Sequence, residues 1–174
     1  RVRIDYRVPS RGLIGFRTEF LTITRGAGIA SHVFDGYGPW IGEIRARTRG
    51  SLIADRSGPV TGYAVDQLAD RGTLFVGPGT LVYAGMVIGE YTRAEDLEVN
   101  IVREKKLTNM RSSTADELIK LTPPTLLTLE QSLEFCASDE CVEVTPESVR
   151  LRKVELDSHT RGRARARARN AAAG

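Results

Sequence analysis

Between Gly50 and Val102 the apolar stretches are short and glycine keeps interrupting them, which favours a small, tightly turned sheet over long helices. Ser51 to Ala54 reads as extended, and Ser57-Gly58-Pro59 as a turn. Tyr63 to Ala69 fits a short helix stopped by Arg71-Gly72. Leu74-Phe75-Val76, Leu81-Val82-Tyr83, Met86-Val87-Ile88 and Leu97 to Val102 read as strands, with Gly77-Pro78-Gly79 as a corner. Such spacing predicts a small barrel or a curled antiparallel sheet. Further on, Leu118 to Leu121 reads as another strand, stopped by Pro123-Pro124. Thr128 and Gln131 form a capping box heading a helix whose Leu129, Leu133 and Cys136 share one face. Val142-Glu143-Val144 and Val149-Arg150-Leu151 flank a turn at 145–148 and predict a hairpin.

The first 48 residues follow a different rule. Residues 1–8 alternate Arg1, Arg3, Asp5 and Arg7 with Val2, Ile4, Tyr6 and Val8, the period-two mark of a half-buried strand. Pro9 ends it, and Leu13, Phe16 and Phe20 then fall on one helical face until Arg25-Gly26-Ala27-Gly28. A second strand is expected from about Ile29 to Phe34. Together these make a β-α-β unit, about half of a split β-α-β sandwich. Its strands need a neighbour from the other half, so the chain, which opens at Arg1 inside a strand-like pattern, reads as a piece of a longer protein.

Composition removes several classes. The longest apolar run, Leu81 to Gly89, is much shorter than the roughly 20 residues a membrane helix needs. No charged-then-apolar leader signals secretion. Cys136 and Cys141 are too few for a disulfide framework and fit a reducing, cytoplasmic setting. The formal net charge of +3 hides an asymmetry: Arg161, Arg163, Arg165, Arg167 and Arg169 account for five of the 25 Lys+Arg. That leaves residues 1–160 with 20 basic against 22 acidic groups. Affinity for nucleic acid must then come from local patches. The alternating Arg/Ala tail, 161–174, has no core pattern and reads as disordered, either a solubilising end or a source of salt-sensitive attraction to RNA.

Catalytic signatures are thin. No glycine is followed by lysine, so the phosphate-cradling P-loop is absent. Gly26-Ala27-Gly28 precedes a strand and reads as a helix stop. His32, His159 and the two cysteines match no zinc spacing, and Cys136 reads as a core thiol. No catalytic residue and no metal ligand is assigned. The segment from Arg103 to Ala115 differs: four basic groups and one acid precede a run of hydroxyl and amide side chains, between two strand patterns. Composition alone favours a solvated charged loop. The same residues are also the types that meet phosphates, sugars and base edges in RNA.

Several separated blocks are similar to one family. Arg11 to Phe20, beginning Arg-Gly-Leu-Ile-Gly-Phe-Arg, and His32 to Gly38 resemble the fifth domain of the BipA/TypA translational GTPases. Gly15, Thr18, Gly26, Phe34 and Tyr37 also fit the looser pattern of the corresponding elongation factor G domain. Arg49 to Leu52, Asp70 to Phe75, Lys105 to Arg111, Thr128 to Gln131 and Val142 to Pro146 resemble the C-terminal domain peculiar to BipA. The resemblance covers about residues 1–156 and implies a ribosome-binding protein linked to large-subunit assembly and to growth under stress or cold. It implies that GTP and Mg²⁺ belong to an N-terminal domain outside this chain, which itself carries no cofactor. It also implies that the loop matching Lys105 to Arg111 reaches the peptidyl-transferase region and the acceptor end of A-site tRNA.

The expectation is therefore an α+β chain: an incomplete split β-α-β (ferredoxin-like) unit at 1–48, a β-rich barrel-like domain with one or two short helices at 49–160, and the tail. Its partners are large-subunit rRNA and tRNA, with no membrane. The expected RNA-binding residues are Arg103, Lys105, Lys106, Leu107, Thr108, Asn109, Met110, Arg111 and Ser112. The alternative is a protein-interaction module without direct RNA contact.

Overall fold

The computed structural model describes residues 2–42, 47–105 and 121–172. Among them the chain is α+β, with eight strands and four α-helices. The β-rich part follows the glycine punctuation closely. Strand β1 (Ser51–Ala54) pairs antiparallel with β5 (Met86–Tyr91), with a bulge between Leu52 and Ile53, and parallel with β6 (Leu97–Val99). On its other side β5 pairs with β3 (Gly72–Leu74) and β8 (Val149–Lys153), and β8 forms the expected hairpin with β7 (Glu140–Val144). The strand order is thus β6-β1-β5-β8-β7, with β3 also on β5; β2 (Gly58–Pro59) and β4 (Leu81–Val82) form a separate two-stranded ladder.

Two glycines, one in β5 and one just before it, are required by their surroundings. At Gly89 strands flank both sides, and a Cβ would lie 2.6 Å from the Thr73 carbonyl oxygen. Gly85 has φ +84, donates its N–H to Ala54 and accepts from Lys153 N–H. Helix α2 (Gly62–Leu68) covers this sheet, its Ala64 and Val65 packing with Leu52, Val60, Ile88 and Ile101 in the core. Helix α3 (Leu129–Phe135) opens with the full reciprocal capping box of Thr128 and Gln131.

Three groups of sequence expectations fail. The turn read at Ser57-Gly58-Pro59 is instead strand β2 at Gly58–Pro59. Residues 2–8 and 29–34 are not strands, and Val2, Ile4, Tyr6, Ile29, Val33 and Phe34 are exposed. An alternating pattern identifies a face, but a strand forms only when its N–H and C=O groups find a neighbour. Among the described residues none pairs with these segments. The helix between them does form, as a 3-10 turn at Ser10–Leu13 followed by α1 (Phe16–Ile23), and Arg25 and Gly26 stop it in the left-handed conformation. The expected strand at 118–121 falls mostly outside the described residues. Third, the tail is helical: α4 runs Ser158–Ala172. Asp157 caps it by accepting the Thr160 N–H at 2.7 Å, and alanine and arginine are both strong helix formers.

The sheet is not closed by hydrogen bonds, but its two edges are tied by charge. Lys153, at the end of β8, is 1% exposed and places Nζ 2.7 Å from Asp96, 2.9 Å from Asp139 and 2.9 Å from Glu140. Asp96 immediately precedes edge strand β6, whereas Glu140 begins edge strand β7. Ser51 joins both carboxylates, donating its N–H to Asp96 and its hydroxyl to Glu140. Arg47 adds a bond to Glu140 at 2.8 Å and stacks on the Phe135 ring. An ion cluster thus links the two edges of the sheet, which no strand ladder joins among the described residues.

Burial alone pushes the Asp96 carboxyl up, but the hydrogen bonds from Lys153 and the Ser51 N–H, with the Lys153 and Arg165 charges, hold it below its ordinary 3.8. Burial lowers Lys153, yet bonds to Asp96, Asp139 and Glu140 raise it above its ordinary 10.5. Asp96 therefore contributes stability that is present above 3.8 and lost as pH falls through its lower folded value. Lys153 contributes stability present below 10.5 and lost as pH rises through its higher folded value. Lys153→Met removes the shared counter-charge of buried Asp96 and Glu140 and should cost about 3–5 kcal/mol in denaturant unfolding near neutral pH. Gly85→Ala, strained at positive φ and facing Leu156, should cost about 1–3 kcal/mol in the same assay.

Candidate nucleic-acid interface

The basic segment leaves the sheet from a well-held stem. Val99 and Ile101 are buried, and Val102 packs against the core cluster. Thr61 then joins stem to helix: its hydroxyl accepts the Ala64 N–H as the cap of α2 and donates to the Arg103 carbonyl at 2.6 Å. Its own N–H donates to the Ile101 carbonyl. Beyond that latch Arg103, Glu104 and Lys105 are all exposed. Lys106, Leu107, Thr108, Asn109, Met110, Arg111 and Ser112 lie outside the described residues.

The chain is described again at Leu121, which packs on the same core cluster as Val102. Both ends of the segment are therefore rooted side by side, near the start of α2. From there Thr125 donates its N–H to the Leu74 carbonyl, and residues 121–125 form one wall of a cleft of about 290 Å³ against Val65, Asp66 and Ala69. Neither Arg103 nor Lys105 makes an ion pair with a carboxylate among the described residues, so both cations face solvent.

The second basic element is better defined than its sequence suggested. Arg161 is buried, its guanidinium 2.7 Å from Glu98 on β6 and 2.7 Å from the carbonyl oxygens of Glu155 and Leu156. One helical turn later Arg165 pairs with Asp96 and approaches Asp139 to 4.0 Å. These two arginines were missed as structural residues. Their signal was the four-residue spacing hidden inside a two-residue alternation, which puts both on one face of a helix. Burial raises the Cys136 thiol, keeping it protonated, and the residue sits at the C-terminal cap of α3. Among the described residues no group of three or more His, Cys, Asp or Glu is arranged to hold a metal ion, and no helix is long and apolar enough to cross a membrane.

Residues 49–158 match the family described as the TypA/BipA C-terminal domain, and residues 1–48 match the elongation factor G C-terminus. The chain is 50% identical over 165 residues to the large ribosomal subunit assembly factor BipA of Escherichia coli K12, covering 94% of this chain and 27% of that protein. It is 47% identical over 165 residues to the factor of the same name from Bacillus subtilis, with 94% and 27% covered. With that of Synechocystis it shares 48% over 154 residues, 88% of this chain and 26% of the other. The chain thus spans about a quarter of the length of these relatives.

Thr61→Val removes both the α2 cap and the latch on Arg103 while keeping the shape of the side chain. It should lower stability by about 1–2 kcal/mol, read from the unfolding midpoint in urea.

Proposed function

The chain belongs to the TypA/BipA C-terminal domain family, and on that premise we propose that it is the ribosome-binding C-terminal region of a translational GTPase acting in large-subunit assembly. The observation that supports RNA contact is the anchored stem, from which Arg103 and Lys105 emerge exposed at the head of a cationic sequence. Lys105, Lys106 and Arg111 neutralise phosphates. Thr108, Asn109 and Ser112 hydrogen-bond ribose or base edges, and Leu107 or Met110 packs on an unstacked base. Arg103, tied through its backbone to Thr61, supports the base of the loop.

The RNA class is large-subunit rRNA together with the acceptor end of A-site tRNA, in the cytoplasm, and the setting is ribosome assembly under stress or cold. GTP and Mg²⁺ are bound elsewhere in the whole protein, and this region acts by binding. A rigid stem serves that role physically, because it fixes where the loop points and reduces the ordering cost on binding. A second reading, a protein-interaction module, draws on the exposed apolar side chains of residues 2–41, among them Ile29 and Tyr37.

Lys105→Ala with Lys106→Ala should reduce co-sedimentation with ribosomes and lower the salt slope of log affinity by about 2, with the melting temperature unchanged. Unchanged pelleting and salt slope would refute the loop's role and favour the protein-interaction reading.

A further inference from the structure

We propose that α4 is a second RNA-binding element, a preformed rail whose outward arginines grip the phosphates of double-stranded RNA. It extends the reading of a ribosome-bound chain to a surface distinct from the loop. Two arginines of the helix are consumed internally: Arg161 by Glu98 and Arg165 by Asp96 and Asp139. That pairing fixes the orientation of the helix. Arg163 lies about 200° around the axis from Arg161, and Arg167 about 40° beyond Arg163. Both are exposed, and neither pairs with a carboxylate among the described residues. They stand roughly 6 Å apart along the axis, whereas Arg169, about 40° beyond Arg165, falls toward the anchored side and is not part of the array.

The chemistry of the helix selects the partner. From Arg161 to Ala172 there is no acid and no apolar side chain larger than alanine. An amphipathic helix that enters a membrane interface or a protein groove needs an apolar face, which α4 lacks. What it offers is planar guanidinium groups at fixed spacing, suited to bidentate contact with phosphate oxygens. Anchoring supplies what a disordered tail lacks. The arginines are already ordered, and the acids that would otherwise repel a polyanion at this edge of the sheet are neutralised by Lys153, Arg161 and Arg165.

The test is fluorescence-anisotropy titration of the whole chain with a short blunt RNA duplex across a salt series, with polyglutamate as a second probe. Arg163→Gln with Arg167→Gln, both surface changes to a good helix former, should lower the salt slope by about 2 with the melting temperature retained. Ala166→Pro keeps all five arginines but breaks the rail, and should weaken duplex binding several-fold. Unchanged affinity and slope in the double variant would overturn the proposal, and unchanged affinity in Ala166→Pro would overturn its helical geometry. Polyglutamate bound as tightly as the duplex would assign the face to acidic proteins instead. Lys105→Ala with Lys106→Ala leaves these arginines in place, so failure of the loop reading and failure of this one give different results.

Discussion

One buried ammonium group holds the two ends of the sheet together. Lys153 reaches Asp96 beside one edge strand and Glu140 at the start of the other, so the link between the two edges of the six-stranded sheet is a contact made by side chains. A lysine taken out of water is costly unless its charge is matched and its donors are used. Here three carboxylates supply three acceptors; the Ser51 N–H takes the other Asp96 oxygen and the Ala137 N–H the other Glu140 oxygen, while the Ser51 hydroxyl, Arg47 and Arg165 share oxygens with Lys153. The buried members of the cluster are Lys153, Asp96 and Glu140, whereas Asp139 and Arg165 remain half exposed.

The same cluster connects fold to proposed function. Asp96 is shared between Lys153 and Arg165, so the acids that lock the sheet also orient α4. Thr61 performs an analogous double duty, capping α2 and holding the stem of the basic loop. Both cationic elements are therefore mounted on the core through a shared polar residue. Mounting matters for RNA recognition, since phosphate contacts add affinity only when the ordering of long side chains and loops does not cancel it.

Residues 1–48 show the converse situation. Their alternation predicts a half-buried strand, yet Val2, Ile4 and Tyr6 remain in solvent and no ladder forms with them among the described residues. The helix α1 survives because its hydrogen bonds are local and its ends carry their own stops, including Arg25 and Gly26 at positive φ. Strands have no such independence. Of the candidate loop, Arg103 and Lys105 are exposed beyond the last core residues, and the remaining positions lie outside the described residues.

Local chemistry determined a good deal of this molecule. The Thr128–Gln131 capping box, the hairpin around 145–148, the glycine corners and the cationic character of 103–112 all follow from neighbours in sequence, because each depends on bonds or charges a few residues apart. Tertiary structure alone decided that Lys153 is a core residue, that Asp96 and Glu140 are its partners, and that an Arg/Ala tail becomes an anchored helix. Those pairs span 57, 13 and, for Arg161 with Glu98, 63 positions, too far for any periodicity to encode. A charge reads as solvent-exposed until the fold supplies its counter-charge, and only the assembled sheet brings that counter-charge within 3 Å.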